Sequence, residues 1–314
     1  MNPYVIEAPA SIGVSGGRTS GKMLREILDA CGGTLPPQVY ATFENTGHEC
    51  KETLEFLEEI SIRWKVPIVW LEYDDIFKLD NYRKKNGDLC ERRKSWGPGD
   101  WGFKIVTFKT ASRHGEPYDK MLEYYRLFRD LVKNEKPILP TVPARMCTTH
   151  LKIKTNTRYM ASLGIPYFNF VVGIRRDEPK RWVKMMKQNE ESSERYENVC
   201  PLYDAGVTKA EVKEFWSNQP FDLKLDAESY EGNCRYCFLK STDKLVNLMR
   251  KNITKAGAIP EDLQWWADKE QAAGMTFRRD RLSYSGLIQF ALSAQEIQPT
   301  NEGTVDCLCG EAND

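Results

Sequence analysis

From Ile12 to Tyr73 the sequence alternates two hydrophobic periods, and that alternation constrains the fold more than any other feature. "IGVS" is a short β-branched run, and "GKMLREILDAC" places Met23, Leu24, Ile27, Leu28 and Cys31 at helical spacing. "QVYATF" reads as a buried strand, "CKETLEFLEEISIRW" as a helix with Leu54, Leu57 and Trp64 inward, and "VPIVWLEY" as another strand. Strands that alternate with helices pair in parallel, and a parallel sheet needs cover on both faces. The expected class is therefore α/β: an open, mainly parallel twisted sheet with helices on both faces. Residues 80–103 are polar, Gly/Pro-rich and aperiodic, which predicts a long surface excursion; "DKMLEYYRLFRDLVK" resumes helix and "YFNFVVG" gives the next strand. After these, helical patterns follow one another without strands, predicting a small helical C-terminal layer. The expected organisation is one nucleotide-binding α/β domain over residues 1–245 and a helical extension over 246–314, with no internal repeat.

Composition narrows the partners little. With 314 residues, 41% of them hydrophobic, the chain can bury one large core. Lys plus Arg equals Asp plus Glu at 45 each, so a nucleic-acid partner would have to be met by local patches. No apolar run is long enough to span a bilayer, and "MNPYVIEAPAS" lacks a basic-then-apolar leader, so the expectation is a cytoplasmic protein with no membrane partner.

The junction "SGGRTS", residues 15–20, joins the strand and helix patterns. Adjacent glycines, Gly16 and Gly17, permit positive φ and close backbone approach; Ser15, Thr19 and Ser20 add hydroxyls and Arg18 a charge. Bare N–H groups at a helix N-terminus favour anions, so the junction reads as a phosphate cradle, with a tight, capped strand-to-helix turn as the plain alternative. It is not a Walker loop, because the glycine spacing before "GK" is wrong and Met23 stands where a magnesium-binding hydroxyl belongs.

Nine cysteines in a reducing compartment point to ligands or nucleophiles rather than disulfides. Cys31 and Cys50 read as packing residues and Cys90 as a loop thiol. Cys234 and Cys237, in "GNCRYCFLKS", form a CxxC whose spacing alone leaves zinc, redox chemistry and an iron–sulfur cluster open.

Taken in order, these stretches resemble the PP-loop branch of the adenine-nucleotide α-hydrolase superfamily. "SGGRTS" is similar to its Ser-Gly-Gly-x-Asp-Ser loop, with Thr19 in place of Asp; "ENTGHECKETLEF" resembles its Asn-Thr-Gly-x-Glu segment; "RMCTTHLKIK" and "VVGIRRDEPKR" resemble its Cys-x-x-x-Leu-Lys and Gly-x-Arg-x-x-Glu segments. The resemblance covers about residues 10–240 and is nearest the phosphoadenylyl sulfate (PAPS) reductase-like proteins, including DNA phosphorothioation sulfurtransferases. It implies ATP with magnesium at Ser15, Gly16, Gly17, Arg18, Thr19, Ser20, Glu44, Asn45 and Gly173, and catalytic roles for Arg175, Arg181 and Lys152. It also implies a 4Fe-4S cluster on Cys147, Cys200, Cys234 and Cys237, with three-cysteine ligation and zinc as alternatives. The implied activity is adenylation of an acceptor, such as tRNA, DNA or a small nucleotide, for sulfur insertion, with a sulfur donor protein as a further partner. Reduction of adenylyl or phosphoadenylyl sulfate, using Cys307 or Cys309, is the alternative enzyme, and a catalytically silent nucleotide- or cluster-binding module is the alternative to an enzyme.

Overall fold

A computed structural model describes residues 2–75, 79–83, 89–93, 101–131, 138–191, 194–226, 231–232 and 234–293. The first strand, β1 (Ala10–Gly13), leads into α1 (Arg18–Ala30), β2 (Val39–Asn45), α2 (Lys51–Trp64) and β3 (Ile68–Tyr73). Met23, Leu24, Ile27 and Leu28 of α1 are all buried against the sheet, each worth about 1.5–3 kcal/mol over an exposed position. A separate hairpin, β4 (Leu79–Arg83) and β5 (Leu89–Arg93), precedes β6 (Phe103–Val106) and α3 (Glu116–Leu131). A π-helical segment, Thr148–Lys154, runs into α4 (Thr155–Ser162); β7 (Phe168–Val171), α5 (Pro179–Glu191), β8 (Tyr196–Val199), α6 (Pro201–Asp204) and α7 (Lys209–Ser217) follow.

The main sheet has the order β6-β3-β2-β1-β7-β8, parallel throughout except for β6. From β1 the chain winds outward through β2 and β3, then returns to β1's other side as β7. That reversal opens a crevice at the carboxyl ends of β1 and β7, where open α/β sheets hold ligands. One face is covered by α1, α2 and α7, whose Leu24, Leu57 and Trp216 share a core; the other carries Tyr159 and Met160 of α4 against Leu71, Phe168 and Tyr196. The expected fold class is the observed one.

Three features differ from the sequence reading. The excursion over 80–103 contains a hairpin, and Cys90 lies in its second strand opposite Tyr82 rather than in a loop. Strands β6 and β8 lie at the two edges of the sheet, each four residues long, too short for periodicity to declare itself, and Ile105 in β6 is 61% exposed. The third concerns the C-terminal helices α8 (Thr242–Ala256), α9 (Glu261–Ala273) and α10 (Tyr284–Leu292). They share one core with Tyr73, Tyr118, Leu151, Tyr236 and Phe238, and the expected boundary at residue 245 falls inside α8. No helix among the described residues is long and apolar enough to cross a membrane.

Candidate functional site

The Ser-Gly-Gly junction turns at Gly16, whose φ of +81° is left-handed and whose missing Cβ would stand 2.4 Å from Thr53 Cγ2. Only glycine fits there. Gly17 then caps α1, and, having no side chain, makes no cap bond of its own to the first turn. Ser20 folds back: its Oγ donates to Gly17 O at 3.0 Å and accepts from Ser15 N at 3.2 Å, 3.1 Å from Ser15 Oγ. The loop is therefore held in its turn by its own residues.

Ser15, Thr19 and Ser20 line a pocket with Glu44, Lys152 and Gly173, walled by Phe43, Phe170 and Met185 and closed by Gln188 and Asn198. This pocket stands over the crevice between β1 and β7. Glu44 is buried, which raises its carboxyl pKa, and accepts Asn156 Nδ2 at 2.7 Å. Asn156, one helical turn beyond Lys152, also reaches Ser11 and Thr42 hydroxyls, tying α4 to β1 and β2 at the pocket floor.

Other expected residues stand elsewhere. Asn45 is fully buried beneath the pocket, donating to Glu72 Oε1 at 2.6 Å and Ser112 O at 2.9 Å while accepting Gly47 N, so it shapes the loop after β2. Arg18 turns away from the pocket toward Asp222. Arg175 is 2% exposed; its Nη1 donates to Thr19 Oγ1 at 3.0 Å and its Nε to Asp177 at 3.0 Å, so it touches the loop at the position of the altered residue. Arg181 is paired with Glu178, which in turn accepts Arg175 N at 3.0 Å. Its Nε and Nη2 are buried without hydrogen-bond partners. Lys154 is exposed, and His150 is buried facing Tyr125 Oη at 2.7 Å, outside the pocket.

The cysteines divide. Cys147, at the start of the π-helical segment, packs with Cys234 and Cys237 at the margin of the C-terminal core. All three lie close enough to Tyr118 that their charge, after burial, drives its hydroxyl pKa well above the usual value. Cys200 is in a different cluster, with Ile174, Met185 and Tyr203; burial, helped by Asp204, pushes its thiol up to about 12. Three of the four expected ligands thus lie against one core and Cys200 in another. Among the described residues no three His, Cys, Asp or Glu side chains stand as a single-ion site. Cys307 and Cys309 lie outside the described residues.

A third segment enters here that residue-type reasoning passed over. Glu49 bridges backbone to backbone with Cys234, and Thr46 Oγ1 donates to Glu49 Oε1 at 2.8 Å while lying 3.3 Å from Cys234 Sγ. In an antiparallel bridge alternate residues face opposite sides, so Cys50 points the other way, to Glu231 O and Arg235 Nε. Burial pushes Cys50 up to about 11. The signal lay in the quoted "NTGHE": a carboxylate directly before a helix. Lys152 lines the pocket and acts on both Glu49 and Cys234, joining pocket and thiols. Burial dominates at Cys234, whose pKa is raised well above the ordinary thiol value.

The C-terminal helices hold the cysteine turn. Lys240, itself buried, donates to Cys234 O at 2.8 Å and Gly232 O at 3.1 Å, Arg281 Nη1 donates to Lys240 O at 2.7 Å, and Tyr284 Oη to Tyr236 O at 2.5 Å.

No protein-family model matches the chain, and no curated protein matches it. A crystal structure of PAPS reductase from Candida auris, in its phosphate complex, is similar at 13% identity and a TM-score of 0.39, the match covering 71% of this chain and 82% of that one. The α/β class rests on the strand order itself: a mostly parallel sheet whose direction of winding reverses beside β1, with the Ser-Gly-Gly turn at the reversal.

Proposed function

We propose that the chain binds ATP at the Ser15–Ser20 loop and adenylates an acceptor for sulfur insertion, with Cys147, Cys234 and Cys237 holding an iron–sulfur cluster. The observation that carries this reading is that Thr148 and Lys152 line the loop's pocket from the same π-helical segment that Cys147 opens, so a nucleotide there and a thiol would meet one element. The helix N-terminus and the hydroxyls of Ser15, Thr19 and Ser20 suit phosphate oxygens, and Phe43, Phe170 and Met185 suit an apolar base. Hydroxyl and carboxylate oxygens from the loop and Glu44 suit magnesium, a hard cation.

The residues assign themselves to an in-line exchange. An acceptor oxygen attacks the α-phosphorus of ATP, the bond to pyrophosphate breaks, and a sulfur nucleophile then displaces AMP at the activated carbon or phosphorus of the acceptor. Lys152 and the loop amides stabilise charge on the departing pyrophosphate. Arg175 adds charge through Thr19, and Arg181 braces that arginine through Glu178 rather than meeting phosphate itself. The chemistry of the donor set suits a cluster: three thiols, soft donors, from two segments packed against one core. When bound on three thiolates, such a cluster has one iron left for an external sulfur ligand. Thr46 and Glu49 orient Cys234, and the α9–α10 side fixes the turn that carries it. The acceptor class follows from the reading: a nucleic acid, tRNA or DNA, or a small nucleotide.

Anaerobic protein incubated with ATP, magnesium and candidate acceptors should release AMP and pyrophosphate and contain iron and acid-labile sulfide. Lys152→Ala should slow AMP formation by on the order of a hundredfold. Sulfite release from PAPS without ATP turnover would make the chain a reductase instead; stoichiometric zinc without iron would replace the cluster.

A further inference from the structure

The cation in the phosphate loop does not face phosphate. Arg18 makes a two-pronged pair with Asp222, Nε to Oδ1 at 2.8 Å and Nη2 to Oδ2 at 2.9 Å. The same Nη2 donates to Leu223 O at 2.7 Å and Leu225 O at 3.1 Å. Its side chain is 11% exposed, and it is not among the residues lining the pocket. The neighbouring contacts repeat the attachment: Trp216 Nε1 donates to Arg18 O at 2.8 Å, and a Cβ on Gly21 would come 2.7 Å from Trp216 Cζ2. All of these guanidinium bonds end on the segment that follows α7.

We infer that Arg18 and Asp222 are positioning residues for the phosphate loop, a clamp that fixes the first turn of α1 so that the amides of Gly17–Ser20 are aimed before a nucleotide arrives. This inference rests on the reading of the loop as a phosphate cradle. Its physical basis is preorganisation. Amides already aimed at an anion lose no order on binding it, whereas a loose turn must be ordered at that moment. A guanidinium suits the task and an ammonium does not, because only the planar fork can hold a carboxylate with two donors and reach two further carbonyls.

The sign of one substitution separates this role from direct phosphate binding. Calorimetry of the full chain with ATP and with adenosine is compared for the wild type, Asp222→Asn and Arg18→Lys. A clamp predicts that both variants weaken ATP by about tenfold, the scale of one charge-assisted hydrogen bond, with adenosine affinity unchanged. Were Arg18 a phosphate ligand, Asp222→Asn would release it toward the pocket and ATP would bind as well or better, which overturns the proposal. Equal loss for ATP and adenosine also overturns it, since that is the mark of a general structural role. Hydrogen exchange in the nucleotide-free proteins supplies the second readout. The clamp predicts faster exchange at residues 17–20 in both variants, and unchanged exchange there overturns it. If the wild type binds no ATP while exchange still rises in the variants, the clamp stands and the cradle reading fails.

Discussion

The Ser15–Ser20 loop and the turn that carries Cys234 both stand near Lys152, yet they are built in opposite ways. The loop is one run, Ser15–Ser20, closed by bonds between its own residues and set by one left-handed glycine. The cysteine site takes Cys147 from the π-helical segment, Cys234 and Cys237 from a turn braced by C-terminal helices, and Thr46 with Glu49 from the end of β2. A local site is written in one run of chain, even where a distant residue such as Asp222 braces it. An assembled site depends on every element that delivers a part.

The largest expected effect sharpens the edge of the assembled site. Cys147→Ser, Cys234→Ser and Cys237→Ser should each lose the iron of anaerobically purified protein, because a hydroxyl is a poor substitute for a soft thiolate. Cys200→Ser should keep it, since that thiol is buried among Ile174, Met185 and Tyr203. Iron and sulfide analysis of the four variants is the measurement, and loss of iron from Cys200→Ser would break the separation drawn here.

Next come two glycines that set the two regions against each other. Gly16→Ala places a Cβ against Thr53 at a positive φ, and Gly115→Ala does the same against His48, 2.5 Å from Nε2 at a φ of +84°. Each should destabilise the protein by about 2–4 kcal/mol in urea titrations, from backbone strain plus overpacking. Their functional losses should differ: Gly16→Ala abolishes ATP binding and retains iron, whereas Gly115→Ala retains ATP binding and loses iron. The same pattern from both would mean that the regions are one unit.

That difference in construction also explains what was legible. The fold class followed from period switching between Ile12 and Tyr73, since burial on both faces writes itself into the sequence of central strands. The loop was legible because its determinants are consecutive. Arg18 was not, because a cation beside glycines looks the same whether it faces phosphate or an aspartate two hundred residues on. Asn45 misled for a related reason: strand register puts it at the right edge, but Glu72 and Ser112, from other segments, take its donors. For the cysteines, spacing gave the CxxC, while the separation of Cys200 depends on how β8 and α6 pack.

Between the regions' backbones sits His48, 5% exposed and in ring contact with Tyr118, Trp265 and Trp266. Burial, then the charge of Lys269, lowers its pKa from 6.5 to about 3. Between those values the unfolded chain binds a proton that the folded one refuses, so this contribution to stability is complete above pH 6.5 and is lost as pH falls. Going from pH 7.5 to pH 5, the wild type should lose about 2 kcal/mol more than His48→Asn does. Glu44 and Glu49, whose raised values act in the opposite direction, are common to both proteins and cancel in the difference. Parallel pH profiles in urea unfolding would show that the ring is not held neutral by this aromatic enclosure.

The smallest effect asks how much of the assembled site depends on a single hydroxyl. Tyr118 is 1% exposed and its ring packs on His48 at 5.5 Å, Trp265 at 5.1 Å and Trp266 at 5.7 Å. Tyr118→Phe keeps all of these ring contacts and removes only a buried hydroxyl oxygen that has no hydrogen-bond partner among the described residues and feels the charge of the three thiols. No hydrogen bond is lost with it, so stability should change by about 1 kcal/mol or less in urea titrations. Iron should remain, since no ligand is touched, and ATP affinity should not move, since Tyr118 does not line the pocket. What should change is the visible absorption of the anaerobic protein, because polar groups near cluster sulfurs tune the cluster's electronic properties. An unaltered spectrum in a variant that keeps its iron would put the cluster away from Tyr118, and with it away from the core against which the three thiols lie.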